Sequence, residues 1–209
     1  MQRFSYPRTY HFPWSPGATS DDKIIKDSSC FDGKDVVITE KRDGENTTLY
    51  SDGYVHARSI DGTGKEYQSW IIKNWREVAY MLDGDLRVCG ENLFARHSIA
   101  YDNLESYFEV FGMFNGELAL AWDEVEMLAA LIGLKVVPIL YRGVWDEATA
   151  KRIALEVVER GGEGIVVRNA GEFETTRFSE NVAKYVRENH VTTDEHWTKN
   201  WVPNTLEAK

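Results

Sequence analysis

This chain has no run of about 18 uncharged apolar residues, so no membrane span is expected. Its first residues, Met1-Gln2-Arg3-Phe4-Ser5-Tyr6-Pro7-Arg8, lack the apolar core of a secretory signal. Cysteine is scarce: Cys30 and Cys89 are the only two. That favours a reduced, cytoplasmic protein over a disulfide-stapled one. Positive charge is also short. The 24 Lys and Arg stand against 34 Asp and Glu, a net charge of -10. This excludes a protein that coats nucleic acid through bulk electrostatics. It leaves room for an enzyme that grips a nucleic-acid end in a local basic groove. Internal repeats, low-complexity tracts and linkers are missing as well, so residues 1–209 are expected to form one domain.

Apolar residues are plentiful. The hydrophobic content is 43% and the aromatic content 12%, ample for a packed core. Val36 to Lys41 opens with an apolar, β-branched run and reads as a strand. Thr47 to Ser51 and Tyr54 to Arg58 flank Asp52-Gly53, and Tyr107 to Phe114 meets Glu117 to Ala121 across Asn115-Gly116. Both dipeptides are hairpin signals. Leu86 to Glu91, Lys135 to Leu140 (interrupted at Pro138), Gly164 to Arg168 and Asn181 to Arg187 read as further strands. Helical spacing runs from Lys65 to Leu82, from a capping-box-like Asp123 and Glu126 to Gly133, and from Asp146 to Gly161. A short helix is expected at Asp21 to Ile25. Tyr10 to Gly17 should be an ordered aromatic loop. The tail from Asn189 to Lys209 should pack in part through Trp197 and Trp201. Strands outnumber helices and do not alternate with them, which predicts an α+β fold with antiparallel sheets flanked by helices.

The chemistry centres on Lys41, at the end of the first strand, in Thr39-Glu40-Lys41-Arg42-Asp43-Gly44. An amine attacks phosphorus only when neutral, so such a lysine must lose its proton from an ordinary pKa of about 10.4. A strand end beside Arg42 and a metal ion favours that loss. Alone the pattern is weak, because Lys-x-Asp-Gly arises by chance in roughly one chain in twenty at average composition. Partners follow it in order: Arg58 after the first hairpin, Glu91 after Gly90, Phe111 in an aromatic strand, Glu163 between two glycines, then Lys184 and Arg187.

With these elements in place, the chain resembles the nucleotidyltransferase domain of the covalent nucleotidyltransferase superfamily. That group comprises ATP-dependent RNA ligases, DNA ligases and mRNA capping guanylyltransferases. Thr39-Glu40-Lys41 followed by Asp43-Gly44 is most similar to the RNA ligase 2-like group, and the resemblance runs from about residue 36 to 187. It implies an ATP-grasp-like ligase adenylation domain using ATP with Mg²⁺ or Mn²⁺. It also implies that Lys41 takes up AMP and passes it to the 5′-phosphate of an RNA end, which a 3′-hydroxyl then attacks. Asp43 and Glu163 would hold metal or its waters. Thr39 and Glu40 would face the adenine edge, Phe111 would stack on the base, Glu91 would accept from ribose, and Arg58 would meet ribose or phosphate. Lys184 would neutralise the α-phosphate. Two positions depart from the pattern. Gly112 stands where an aspartate is common, and Val186 stands where a second lysine is usual. Arg187 adjoins that place, although strand alternation turns it away from the face of Lys184.

RNA ends, nicked or single-stranded, are the expected partner. Arg96, Arg142, Arg168, Arg177 and Lys199 are the cations suited to them, and no membrane partner is expected. Only 22 residues follow Arg187, too few for the five-stranded oligonucleotide-binding barrel on which DNA ligases and capping enzymes close. A minimal RNA ligase, or one working with a partner protein or domain, is therefore expected. The alternatives are a non-catalytic nucleotide- or RNA-end-binding module, or a DNA ligase or capping-type enzyme. The histidines show no zinc spacing. His11 and His56 are expected to be structural.

Overall fold

The computed structural model describes residues 2–188 and 201–208. In chain order the strands are β1 (Tyr10–His11), β2 (Asp35–Lys41), β3 (Glu45–Tyr50), β4 (Val55–Ala57), β5 (Leu86–Asn92), β6 (Phe108–Asn115), β7 (Leu118–Ala119), β8 (Lys135–Val136), β9 (Ile139–Val144), β10 (Gly164–Asn169), β11 (Phe173–Glu174) and β12 (Val182–Val186). Helices α1 (Ser69–Val78) and α2 (Trp122–Leu131) follow β4 and β7, and α3 (Glu147–Glu159) precedes β10. The pattern is α+β, with mostly antiparallel pairing. Among the described residues no helix is long and apolar enough to cross a membrane. The chain divides into two compact units. Among the described residues, the first comprises residues 2–6, 43–136 and 201–208, and the second residues 7–42 and 137–188.

The second unit is built on a sheet of order β1-β12-β10-β2-β9. Side chains alternate across a strand. One face therefore carries Val36, Ile38, Ile165, Val167, Ala183 and Tyr185, which pack with Ala150, Ile153, Ala154 and Val157 of α3. Burying each large aliphatic side chain there contributes about 1.5–3 kcal/mol. Phe12, Phe31 and Trp145 extend this core, with Phe12 and Trp145 stacked at 5.6 Å. Asp146 caps α3 by accepting from the Thr149 amide at 2.7 Å. The opposite face carries the other alternation set, including Thr39, Lys41, Val166 and Lys184.

In the first unit the strands run β7-β6-β5-β3-β4, with β8 beside β6. The Asp52-Gly53 and Asn115-Gly116 turns close the expected hairpins. Helix α1 buries Ile71 and Trp75, and the Trp75 indole donates to the Tyr50 carbonyl at 2.8 Å. The C-terminal residues pair with the loop after β5, through bridges Ala95 to Pro203 and Leu104 to Leu206. Both cysteines are free thiols. Burial pushes Cys89 up to about 11.

Three local expectations need correction, and the expected break at Pro138 is borne out. Asp21 to Ile25 is not helical, because its backbone groups pair with β1 instead: His11 N donates to Lys23 O and Ile25 N to His11 O. The run from Lys135 to Leu140 splits into β8 and β9 at Pro138, which has no N–H for a ladder, and its carbonyl accepts from Glu40 N. The Lys65 to Leu82 helix is α1 flanked by 3₁₀ turns at Glu66–Gln68 and Ala79–Met81. Helix α2 begins two residues earlier than a capping box at Asp123 requires; Ala121 is its N-cap and makes no side-chain cap bond. Trp197, expected to pack, lies outside the described residues, whereas Trp201 packs on Phe94 at 5.2 Å between ring centres.

Candidate active site

Strand register fixes the second unit's polar face. Thr39 pairs with Val166 and Val166 with Lys184, so these three form one row across the sheet. Two residues further, Lys41 pairs with Gly164 and Gly164 with Val186, forming the next row. The Lys41 Nζ donates to Glu163 Oε2 at 2.6 Å, with side-chain exposures of 23% and 7%. An ion pair this far from water is held firmly and is costly to break from one side. Glu163 reaches it because Gly164 follows. A Cβ on Gly164 would lie 2.0 Å from the Tyr185 carbonyl oxygen, and its φ of +154 disfavours any side chain. Only glycine lets β10 start this close to β12.

The remaining second-unit candidates lie on, or next to the end of, β2 and β12. Thr39 is buried, and its hydroxyl donates to Val166 O at 3.4 Å. Glu40 Oε1 accepts from Arg42 Nη1 at 2.8 Å. Arg187 follows the end of β12, and its amide donates to Glu163 O at 3.0 Å. Val186 is fully buried in the row of Lys41, with its amide donating to Ser15 Oγ at 2.9 Å. The departure from the two-lysine pattern therefore falls in the lysine's own row. His11 is buried beside Lys184, bonded to Ser15 Oγ at 2.8 Å and 3.5 Å from Asp22. Burial works to raise the Asp22 carboxyl. Hydrogen bonds from Thr19 and the charges of His11 and Lys184 outweigh it and hold the group below its ordinary value.

The first unit holds the other candidates. The Gly44 amide donates to Glu91 Oε1 at 3.0 Å. A Cβ on Gly44 would meet Asn92 O at 2.6 Å, so the glycine after Asp43 is needed for this close approach to β5. Asp43 Oδ2 accepts from the Ile99 amide at 2.7 Å, and the Asp43 amide donates to Tyr101 Oη at 3.0 Å. Asn204 holds that loop. It is buried, its Oδ1 accepts from Tyr101 N at 3.0 Å, and its Nδ2 donates to Leu93 O at 2.8 Å. Sequence reasoning missed Ile99, Tyr101 and Asn204, and no local signal marks them. Phe111 sits at a bulge. Gly90 pairs with Val110 and Cys89 with Gly112, which leaves Phe111 without a partner on β5. Bulges re-aim side chains in this way. Phe108 and Phe114 are core, whereas Phe111 is half-buried against Tyr6 at 4.9 Å. Arg58 is exposed just past β4. His56 is fully buried and bonded to Tyr50 Oη at 3.2 Å, with its pKa lowered by desolvation; it is a core histidine.

Among the described residues no group of three or more His, Cys, Asp or Glu side chains forms a metal site. Magnesium asks for less, keeping several waters and taking one or two carboxylates. Glu163 fits that demand as a carboxylate at the edge of the polar face. Of the cations expected to meet RNA, Arg168 is buried over the Phe173 ring, and Arg177 and Arg96 are engaged by Glu180 and Asp102. Arg142 is exposed on β9, and Lys199 lies outside the described residues.

A sequence model of the RNA ligase family matches residues 34–186. No curated protein matches the chain. Among solved structures, an archaeal ATP-dependent RNA ligase is 18% identical and covers 88% of this chain and 48% of its own, with a TM-score of 0.60. A Naegleria gruberi RNA ligase with PPi is 21% identical over 77% of this chain and 51% of its own, with a TM-score of 0.56. A putative ATP-dependent DNA ligase from Aquifex aeolicus is 19% identical over 88% and 50%, also with a TM-score of 0.56. At these identities the likeness establishes the fold, that of a ligase nucleotidyltransferase domain. The chain spans about half the length of these structures.

Proposed function

The chain belongs to the RNA ligase family across residues 34–186, and we propose that it joins RNA 3′-hydroxyl and 5′-phosphate ends with ATP, through a lysyl–AMP intermediate. The observation that carries this reading is Lys41 held at 2.6 Å from Glu163 on the polar face of the second unit's sheet. Lys41 Nζ, once deprotonated, attacks the α-phosphorus of ATP. An N–P bond forms, the bond to the bridging oxygen breaks, and pyrophosphate leaves. The AMP then passes to the 5′-phosphate oxygen of an RNA end, restoring the amine. The 3′-hydroxyl attacks that phosphate, and AMP leaves as the phosphodiester forms.

Each step gathers negative charge on phosphoryl oxygens, so fixed cations supply much of the stabilisation. Lys184 meets the α-phosphate, and Arg187 adds charge beside the place that Val186 leaves apolar. Asp43 and Glu163 are each proposed to hold a divalent cation, directly or through its waters, and the cation would add charge neutralisation. Glu163 also fixes the position of the Lys41 amine before ATP arrives. Phe111 stacks on adenine, a contact of about 1–3 kcal/mol. Glu91 accepts from the ribose, Arg58 meets ribose or phosphate, and Thr39 and Glu40 line the adenine edge, Glu40 through its backbone because alternation turns its side chain to the other face.

The test is transfer of label from α-labelled ATP, with Mg²⁺ or Mn²⁺, to protein on a denaturing gel. Wild type should retain label and Lys41→Ala should not. No label from any nucleotide would leave a non-catalytic end-binding module, the reading that buried Val186 favours. Label from GTP alone would mean capping-type chemistry. Nicked RNA, nicked DNA and single-stranded RNA, offered in parallel, separate the ligase classes.

A further inference from the structure

The first unit carries a groove that none of the nucleotide-binding residues above occupies. Its volume is about 590 Å³, and it is lined by Arg3, Asp52, Gly53, Tyr54, Arg76 and Tyr80 among others. That size suits one nucleotide, since small-ligand clefts span about 300–1,000 Å³. The wall is a fixed cation–aromatic stack. The Arg3 guanidinium lies 4.4 Å from the Tyr50 ring centre and 4.5 Å from that of Tyr54, and it is ion-paired to Asp52. Tyr50, beneath it, is anchored by accepting from Phe4 N at 2.8 Å and donating to Phe4 O at 3.2 Å. The wall is therefore rigid before any ligand arrives.

The rim is built differently. Arg76 and Tyr80 lie four residues apart, on the last turn of α1 and the 3₁₀ turn that continues it. That spacing puts them on one side of the helix. The Arg76 side chain is exposed, and its stem passes over the Asp52-Gly53 turn, where a Cβ on Gly53 would lie 3.8 Å from Arg76 Cγ. Among the described residues its guanidinium has no hydrogen bond or ion pair. Tyr80 is 78% exposed, the most exposed of the large hydrophobic side chains in the described structure, and among the described residues its ring stacks on nothing. An aromatic ring of that size held in water, one turn from an unengaged guanidinium, has the two contacts a nucleotide needs. The ring takes a base face, and the guanidinium takes a phosphate. In a chain of net charge -10, the lining cations here outnumber the single lining carboxylate, which Arg3 already neutralises.

We propose that this groove binds one unstacked nucleotide of a single-stranded RNA segment, with its base on Tyr80 and its phosphate on Arg76. The proposal rests on the RNA ligase reading for its choice of ligand. It selects single-stranded over duplex RNA, because a base within a helix has no free face to offer a side chain. A flap, loop or overhang near the joined ends meets the requirement.

The test is fluorescence anisotropy of the full chain with a labelled single-stranded RNA, across a salt series, with blunt duplex RNA and free AMP as competitors. Tyr80→Ala should weaken binding about tenfold, while Tyr80→Phe should keep it, because stacking needs the ring and not the hydroxyl. Arg76→Ala should lower the slope of log affinity against log salt by about 0.7, one phosphate on a single strand. Label transfer from α-labelled ATP to Lys41 should be unchanged in all three variants. The groove proposal is overturned if Tyr80→Ala and Arg76→Ala bind single-stranded RNA as wild type does. It is also overturned if duplex or AMP competes as well as single strand. Absence of lysyl–AMP with the Tyr80 and Arg76 effects intact would instead overturn the ligase reading and leave the groove standing.

Discussion

Gly164→Ala adds one methyl group at the point where the second unit's sheet brings Glu163 to Lys41. The new Cβ would lie 2.0 Å from Tyr185 O and 2.9 Å from its carbonyl carbon, both backbone atoms of the neighbouring strand. Neither can rotate aside. The residue would also have to hold a φ of +154, a conformation that costs about 1–3 kcal/mol for a non-glycine residue. Overpacking against a strand adds about 1–3 kcal/mol. Near 200 residues each kcal/mol moves the melting temperature by about 2–4 °C, so the expected fall is roughly 5–20 °C. Gly171→Ala is the control, since its added Cβ meets nothing nearer than 3.8 Å, a side-chain atom of Asn169. Thermal unfolding followed by circular dichroism reads the difference. At a temperature where Gly164→Ala is still folded, label transfer from ATP should also drop, because relief of the clash moves β10 away from β12 and carries Glu163 from Lys41. Melting of Gly164→Ala together with Gly171→Ala, and label uptake at the wild-type rate, would show that β10 tolerates a side chain at this position.

Two further outcomes follow from the supporting contacts. Asn204→Ala leaves Tyr101 N and Leu93 O without their buried partner, and should destabilise the protein by about 1–3 kcal/mol in denaturant unfolding; its lysyl–AMP yield should fall because Tyr101 and Ile99 hold Asp43. Asp22→Asn tests the acid side. The native carboxyl titrates below its ordinary value, so its contribution is complete above about pH 4 and disappears as pH falls through the lowered native value. The variant should be about 1 kcal/mol less stable at pH 7, with the gap closing toward pH 3. A gap that stays constant across that range would contradict the assignment.

Much of the second unit was legible because local rules and tertiary packing agree there. Val36 to Lys41 is legible as a strand from its β-branched apolar run, and the two-residue period of a strand then places Lys41 on the face opposite to the one packed on α3. Glu163 was marked by its flanking glycines, and the clash at Gly164 explains why. The two hairpins were marked by Asp-Gly and Asn-Gly. What was not legible is long-range. The support of Asp43 runs through Ile99 and Tyr101 to Asn204, more than a hundred residues away along the chain, and an asparagine in a polar tail carries no pattern. The Asp21 to Ile25 segment has helix-compatible residues, but β1 offers its backbone a competing partner. Pro138 was visible as a breaker, yet only the fold shows that the strands on its two sides belong to different sheets. Arg168 reads as an RNA contact by charge, and burial over Phe173 removes it from the surface.

Covalent catalysis by Lys41 is tested most directly by locating the AMP. The protein is incubated with ATP and Mg²⁺ or Mn²⁺, digested under neutral conditions that preserve an acid-labile phosphoramidate, and the peptides are sequenced by mass spectrometry. A single AMP adduct is expected on the Lys41 side chain, absent from Lys41→Ala and lost on exposure to acid. An adduct on another residue, or none at any divalent cation concentration, would contradict covalent catalysis by Lys41.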